Sequence, residues 1–314
     1  MKAWQFTRKH EPLVLHDVPE PSAEPGEVVI DIKASGLCHS DLGILHDEQF
    51  PPLPWTPITI GHEIAGAVSE VGEGVTGWGI GDRACIGNLP GLVPGLHREG
   101  GYTARIAVSA DLLVRIPDGV SFEQAAIGPD AGATAHHAVV VNGQAAEGIR
   151  MGIVGLGGLG QIGARVAVLS GCEVHVAEIK RELWPLAEEL GAEGVVADVN
   201  ELADAELDVI VDFAGVGTTT TGALAAVRRG GRVVQVGMSA AEATLNLNTL
   251  ILKKLTLVGS LGGGLDDIAS VYGFMARGDL SPVTATIGFE EIPAGLERLA
   301  RGEVVGRLVA RIDD

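Results

Sequence analysis

Three short stretches carry residue types that can do chemistry. "GLCHSDLG" groups Cys38, His39, Ser40 and Asp41; "TIGHEIAG" pairs His62 with Glu63. "GPDAGATAHHAV" sets Asp130, His136 and His137 among Gly, Ala and Val. Thiolate, imidazole and carboxylate are the ligand types of zinc. Each residue also has a plainer reading. A lone Cys is most often a small core residue, and a lone His is usually satisfied or solvated. Asp130 could simply cap the helix that follows it. Cys38 and His62, each soon followed by an acid, hint at a zinc site, although their separation matches no short structural-zinc spacing.

A second kind of chemistry is written in "IVGLGGLGQIGARVAVLSG". Gly155, Gly157, Gly158, Leu159 and Gly160 form a G-x-G-x-x-G that follows an apolar strand and opens a helix, the context that a dinucleotide fingerprint needs. Its glycines allow a tight turn and let backbone N–H groups approach a pyrophosphate at the helix N-terminus. The next strand ends at Glu178, roughly twenty residues on, where an acid binds the adenosine ribose hydroxyls. A carboxylate there repels the 2′-phosphate of NADP, so NAD(H) is favoured. Lys180 and Arg181 stand close enough in sequence to accept that phosphate and weigh the other way.

These residues need elements to position them. The first third reads as short strands: "EVVIDIKASG", stopping at Gly36, then "IAGAVSEVGEGV", "GDRACIG", "YTARIAVS" and "DLLVRIPDG". Short strands with Gly/Pro punctuation suggest a β-barrel-like domain. "NLPGLVPGLHREGG" (88–101) reads as a Pro/Gly loop. At Ser121 the pattern changes: Ser121 and Gln124 form a capping box, and "AGATAHHAVVV" reads as helix. After Arg150, apolar strands alternate with helices, which predicts a parallel sheet covered on both faces. "RELWPLAEELG" is one of those helices, with Pro185 as a blemish. The tail after about Gly262 reads as helix, strand, helix, strand. It either extends the parallel sheet or returns to the first domain.

The chain has 314 residues, 46% hydrophobic and 20% charged, enough for two globular domains. A net charge of -19 argues against nucleic acid or an anionic membrane as partner, because phosphate binding needs clustered Lys and Arg. Three scattered cysteines give no disulfide framework and suit a reducing compartment. The N-terminus has no apolar h-region and no stretch is apolar for about 18 residues, so a cytoplasmic enzyme is the expectation.

"GLCHSDLG", "GHEIAGAVSEVGEGVTGWGIGDR" and "GLGGLGQIGARVA", in this order, resemble the zinc-containing medium-chain dehydrogenase/reductase family, alcohol dehydrogenase type. The resemblance implies an α/β protein: a GroES-like β-barrel catalytic domain over 1–130, a doubly wound Rossmann coenzyme domain over 131–261, and a 262–314 segment returning to the catalytic domain. It implies one catalytic zinc per chain, NAD(P), a small alcohol or carbonyl substrate, and a homodimer or homotetramer.

The resemblance also assigns roles. Cys38 and His62 match the first two zinc ligands, and Glu63 an alternative or outer ligand. Asp130 stands where most relatives have a third ligand Cys. A carboxylate is a legitimate zinc ligand, and bacterial secondary-alcohol dehydrogenases of this family use a similar Cys/His/Asp set. Asp41 matches an acid that orients the ligands, and Ser40 the hydroxyl that touches the substrate oxygen. His39 and Arg307 match positions facing the coenzyme phosphates, and Thr134 one that packs on the nicotinamide. Phe50, with Trp55 assisting, falls at a substrate-pocket aromatic. His136 and His137 lie beyond the block and read as non-ligands. Three departures stand out. The four-Cys structural zinc lobe is replaced by the loop 88–101. Gly43 stands where many relatives have a proton-relay His, leaving water or His46 for that task. Asp130 is a harder ligand than thiolate. The alternatives are a zinc-free quinone or enoyl reductase of this fold, or a dinucleotide-binding protein without catalysis.

Overall fold

The alternating segments of the first third become antiparallel strands. In the computed structural model, which describes residues 1–312, strands β1 (Lys2–Phe6), β2 (Val14–Asp17) and β4 (Ile58–Thr59) form a three-stranded sheet ordered β2-β1-β4. A second sheet holds β3 (Glu27–Leu37), β5 (Glu63–Val71), β6 (Arg83–Ile86), β7 (Arg105–Ser109) and β8 (Leu113–Arg115). The tail joins that sheet. β16 (Arg307–Arg311) pairs antiparallel with β3 and parallel with β15 (Thr284–Gly288), giving the order β15-β16-β3-β5-β6-β8 with β7 on β3. The return is set by burial: Leu308, Val309 and Ala310 are fully buried, and Leu308 joins Ile30, Ile32, Ile58, Ile60 and Ile64 in one apolar core.

Gly36 does not stop β3, as its turn propensity suggested. The strand runs through it to Leu37, and Gly36 pairs with Glu63 on β5. A Cβ at Gly36 would overlap the Glu63 carboxylate, so the glycine makes room for a buried acid.

The alternating half forms a six-stranded, all-parallel sheet ordered β11-β10-β9-β12-β13-β14. Its strands are β9 (Arg150–Val154), β10 (Glu173–Ala177), β11 (Gly194–Val196), β12 (Val209–Asp212), β13 (Arg232–Gln235) and β14 (Thr256–Gly259). In chain order this is 3-2-1-4-5-6, the doubly wound order that binds ligands at the switch point beyond its first strand. Contacts divide the chain into two units: Met1–Ala133 with the segment from Gly263 onward, and Thr134–Gly262. Among the described residues no helix is long and apolar enough to cross a membrane.

The capping box at Ser121 is present. Ser121 Oγ accepts the Gln124 N–H and Gln124 Oε1 accepts the Ser121 N–H, opening α2 (Phe122–Ala126). "AGATAHHAVVV" is not a plain α-helix. A π-turn over Gly128–Gly132 precedes α3 (Ala133–His136), and a second follows over His137–Asn142. Such bulges recur at functional sites because they re-aim one side chain. Pro185 is no blemish: it lies in the first turn of α5 (Trp184–Leu190), where the missing N–H costs nothing. The motif helix α1 (His39–His46) has almost no apolar periodicity, which is why its sequence did not announce it.

Candidate metal centre and coenzyme site

Cys38 is the extended residue just before α1. The Asp41 carboxylate reaches back one turn, and its Oδ2 accepts the Cys38 N–H at 3.0 Å. This closes the helix N-terminus while leaving the thiol free to point elsewhere. His62 immediately precedes β5, and Glu63 is its first residue. Asp130 lies at the centre of the first π-turn. Segments far apart in sequence therefore deliver four donors to one point. Cys38, His62, Glu63 and Asp130 present ligand atoms all within 4.8 Å of one another. Cys38 Sγ is 3.1 Å from Asp130 Oδ2, and His62 Nε2 is 3.6 Å from the same oxygen. Donors about 2.0–2.3 Å from a shared tetrahedral ion stand roughly 3.3–3.8 Å apart, so the spacing suits a zinc-sized cation. His136 and His137 are not part of this cluster.

The electrostatics agree with the spacing. Three carboxylates and a thiol crowd a buried volume that contains one imidazole and one guanidinium, Arg307. Burial, then the charge of Asp130, pushes the Cys38 thiol up. Burial also carries Glu63 well above the usual carboxylate range, with Arg307 opposing it. Burial would raise Asp130 too, but the hydrogen bond and charge of His62 outweigh it and hold that carboxyl low. Burial would lower His62, but Asp41 and Asp130 hold it well above the usual imidazole value. The protons retained on thiol and imidazole are those a divalent cation displaces. Buried Glu63 Oε2, His62 Nδ1 and Asp41 Oδ1 each lack a hydrogen-bond partner. His62 Nδ1 and Asp41 Oδ1 face each other at 3.5 Å, which leaves His62 Nε2 directed at the cluster. The unpaired, buried Glu63 Oε2 beside these ligand types suits a site for a divalent cation.

Arg307, expected to face coenzyme phosphates, is committed within the first unit. It is buried, its Nη2 donates to Glu63 Oε1 and, at 3.3 Å, to the Leu37 carbonyl. β16 lies beside β3, and β3 beside β5, so sheet register brings this pair together. Ser40 Oγ lies 3.2 Å from Cys38 Sγ, and His39 is exposed in the first turn of α1. Phe50 packs into the same core with its ring over Gly43, where a Cβ would come within 2.8 Å of it. The ring thus occupies space a longer residue at 43 would need. His46 is exposed at the end of α1, its ring 6.0 Å from that of His10. Trp55 is 46% exposed and its indole donates to Glu99 Oε1 at 3.1 Å. Glu99 also accepts the Thr59 N–H at 2.7 Å, so the Trp55 indole is tied to the loop 88–101.

Tyr102 was missed by sequence reasoning. It is fully buried, and its hydroxyl donates to Asp41 Oδ2 at 2.6 Å. Burial, reinforced by the Asp41 charge, keeps the phenol protonated. "GGYTAR" reads as strand, and nothing in its pattern distinguishes a buried phenol donor from an ordinary core ring.

In the second unit, Gly155 ends β9 with φ +86°, a conformation that glycine adopts without strain. A Cβ at Gly160 would overlap the Gly155 carbonyl, whereas one at Gly157 would meet nothing within 4 Å. The turn is therefore closed at Gly160 and open at Gly157, as a backbone approached by a pyrophosphate requires. Helix α4 (Gly160–Leu169) opens just behind Gly158 and Leu159, with no side-chain cap on its N–H groups. Glu178 is buried at the end of β10; its Oε2 accepts the Leu156 N–H at 2.7 Å and its Oε1 the Lys180 N–H at 2.8 Å. The acid is thereby fixed beside the glycine turn. The Arg181 guanidinium lies 5.1 Å from the centre of the Trp184 ring. Thr134 is buried in α3.

Two families match the chain: "Alcohol dehydrogenase GroES-like domain" over residues 24–118 and "Zinc-binding dehydrogenase" over 158–277. An alcohol dehydrogenase from Geobacillus stearothermophilus is 31% identical over 100% of both chains. The structure of acetophenone reductase from Geotrichum candidum in complex with NAD superposes with a TM-score of 0.90 at 30% identity, covering 99% of this chain and 96% of that one. The alcohol dehydrogenase of Aeropyrum pernix does so at 0.89 and 29%, covering 99% and 100%. With its donor cluster, its glycine turn and these full-length matches, the chain belongs to the zinc-type medium-chain dehydrogenase/reductase family, the family of the alcohol dehydrogenases.

Proposed function

We propose that this protein is an NAD(H)-linked alcohol dehydrogenase and carbonyl reductase holding one catalytic zinc on Cys38, His62 and Asp130. Glu63 stands by as an exchangeable or outer donor. The observation that carries this reading is the convergence of those four side chains within 4.8 Å. When bound, zinc supplies a Lewis acid for the substrate oxygen and the nicotinamide supplies the hydride acceptor. The chain's own residues do the rest. Asp41 orients His62, and Arg307 neutralises Glu63. The Ser40 hydroxyl, 3.2 Å from Cys38 Sγ, takes the alcohol proton and passes it to solvent. With Gly43 in place of a relay side chain and His46 exposed, water completes that route.

In the second unit, Gly157 and the open end of α4 receive the pyrophosphate. Glu178 accepts the ribose hydroxyls and disfavours a 2′-phosphate, and the Arg181 guanidinium lies over the Trp184 ring. NAD is thus the preferred coenzyme. His39 and Thr134 serve the coenzyme, and Phe50 shapes the substrate side. The active form is a cytoplasmic homodimer or homotetramer.

Metal analysis tests the reading first. About one zinc per chain is expected, lost in Cys38→Ala and in Asp130→Ala, while an active protein free of zinc would falsify it. A panel of ketones assayed with NADH and NADPH then reads the reaction and the coenzyme. Glu178→Ala should improve use of NADPH relative to NADH.

A further inference from the structure

We propose that Tyr102 is a positioning residue of the metal centre, its hydroxyl holding Asp41 so that the second carboxylate oxygen meets His62. This rests on the zinc reading above. Asp41 Oδ2 has two donors, the Cys38 N–H at 3.0 Å and the Tyr102 hydroxyl at 2.6 Å. Asp41 Oδ1 is left for His62 Nδ1, 3.5 Å away. One carboxylate thus links the N–H of one ligand residue to the ring of another. The phenol is the side-chain group that fixes its plane.

The fold is built around this ring. Gly61, immediately before His62, has φ +95°, and a Cβ there would come within 2.6 Å of the Tyr102 ring. The Tyr102 N–H is bonded to the Ile60 carbonyl at 3.0 Å, and the Gly101 N–H to the Gly61 carbonyl at 2.8 Å. The segment carrying His62 and the segment carrying Tyr102 are therefore zipped together by their backbones. The ring lies flush on the glycine next to the ligand, and the hydroxyl reaches past it to Asp41. Donors behind a ligand histidine fix its tautomer and orientation, and losing such a partner costs 10–100-fold in metal affinity.

Tyr102→Phe keeps the ring and removes only the oxygen. Zinc affinity of the full chain, read by chelator competition, should fall roughly 10–100-fold, and the visible spectrum of the Co²⁺-substituted protein should change. In an Asp41→Asn background the Tyr102→Phe effect should largely disappear, because the hydroxyl acts through that carboxylate. Thr103→Val is the control: it removes a neighbouring buried hydroxyl that donates to the Lys2 carbonyl at 2.9 Å, and zinc affinity should not change. Wild-type affinity and an unchanged Co²⁺ spectrum in Tyr102→Phe would overturn the proposal. So would an equal loss in Tyr102→Phe and Thr103→Val, which marks a general packing effect. A wild-type chain that binds no zinc overturns the zinc reading itself, and the proposal with it. Zinc bound normally by wild type and by Tyr102→Phe alike overturns the proposal alone.

Discussion

A metal centre and a coenzyme turn make opposite demands on single residues. At the metal, acids must be buried and held. At the turn, atoms must be absent. Gly36 and Gly61 belong to the first demand, clearing space for the Glu63 carboxylate and the Tyr102 ring. Gly157 and Gly160 separate two uses of glycine within one motif. Gly157→Ala adds a methyl to open space, so thermal stability should hold while NADH affinity drops. Gly160→Ala drives a methyl into the Gly155 carbonyl, so the fold should lose about 1–3 kcal/mol, the usual range for overpacking. Thermal melts and NADH titration of both variants check this; equal loss of stability in the two would refute the distinction.

At the level of elements, the π-turn that carries Asp130 is clamped from one side by α8 (Leu265–Ala276). The Tyr272 ring of α8 lies on Gly128, where a Cβ would come within 2.5 Å, and its hydroxyl donates to the Ala125 carbonyl at 2.6 Å. Beside Tyr272 lies Cys85 of β6. Burial pushes this thiol up to about 12, with the Tyr272 hydroxyl easing it slightly. An unfolded thiol titrates near 8.5. Between those values the native chain keeps a proton that the unfolded chain releases. The thiol's contribution to stability is therefore complete below about pH 8.5 and is lost as pH rises toward 12. Urea unfolding at pH 9 and 10 should show stability falling, with Cys85 contributing up to about 1.4 kcal/mol per pH unit. Cys85→Ala should be less stable at pH 8 yet show a shallower fall, and an unchanged fall would exclude Cys85 as its source.

On the scale of the whole molecule, β14 is an edge of the parallel sheet, paired only with β13 among the described strands. Its Leu257 is 37% exposed, and α7 (Leu247–Lys253) exposes Leu247, Ile251 and Leu252 in the same part of the chain. A free strand edge with apolar side chains invites self-pairing about a two-fold axis, which closes the assembly at two copies. Sedimentation should find a dimer or a multiple of it. Leu257→Lys with Ile251→Lys should shift the protein toward monomer while the zinc content stays the same. A wild-type monomer at micromolar concentration would remove this edge from consideration.

Much of this protein was determined by its sequence alone. Strong local signals are short-range physics: the glycine turn before α4, the Ser121 capping box, and the strand–helix alternation after Arg150 each depend on neighbours a few residues away. The proposed ligands Cys38, His62 and Asp130 were legible only as a family resemblance, since spacing by itself matched no zinc pattern. What tertiary structure decided is non-local. The tail's return was implied by the resemblance, but only the pairing of β16 with β3 brings Arg307 to Glu63. Only the π-turn aims Asp130 rather than His136 at the cluster. Only the zipped 60–61 and 100–102 segments place a phenol behind Asp41. Such contacts join residues distant along the chain, and no periodicity of hydrophobic residues records which distant partner a buried polar atom will meet.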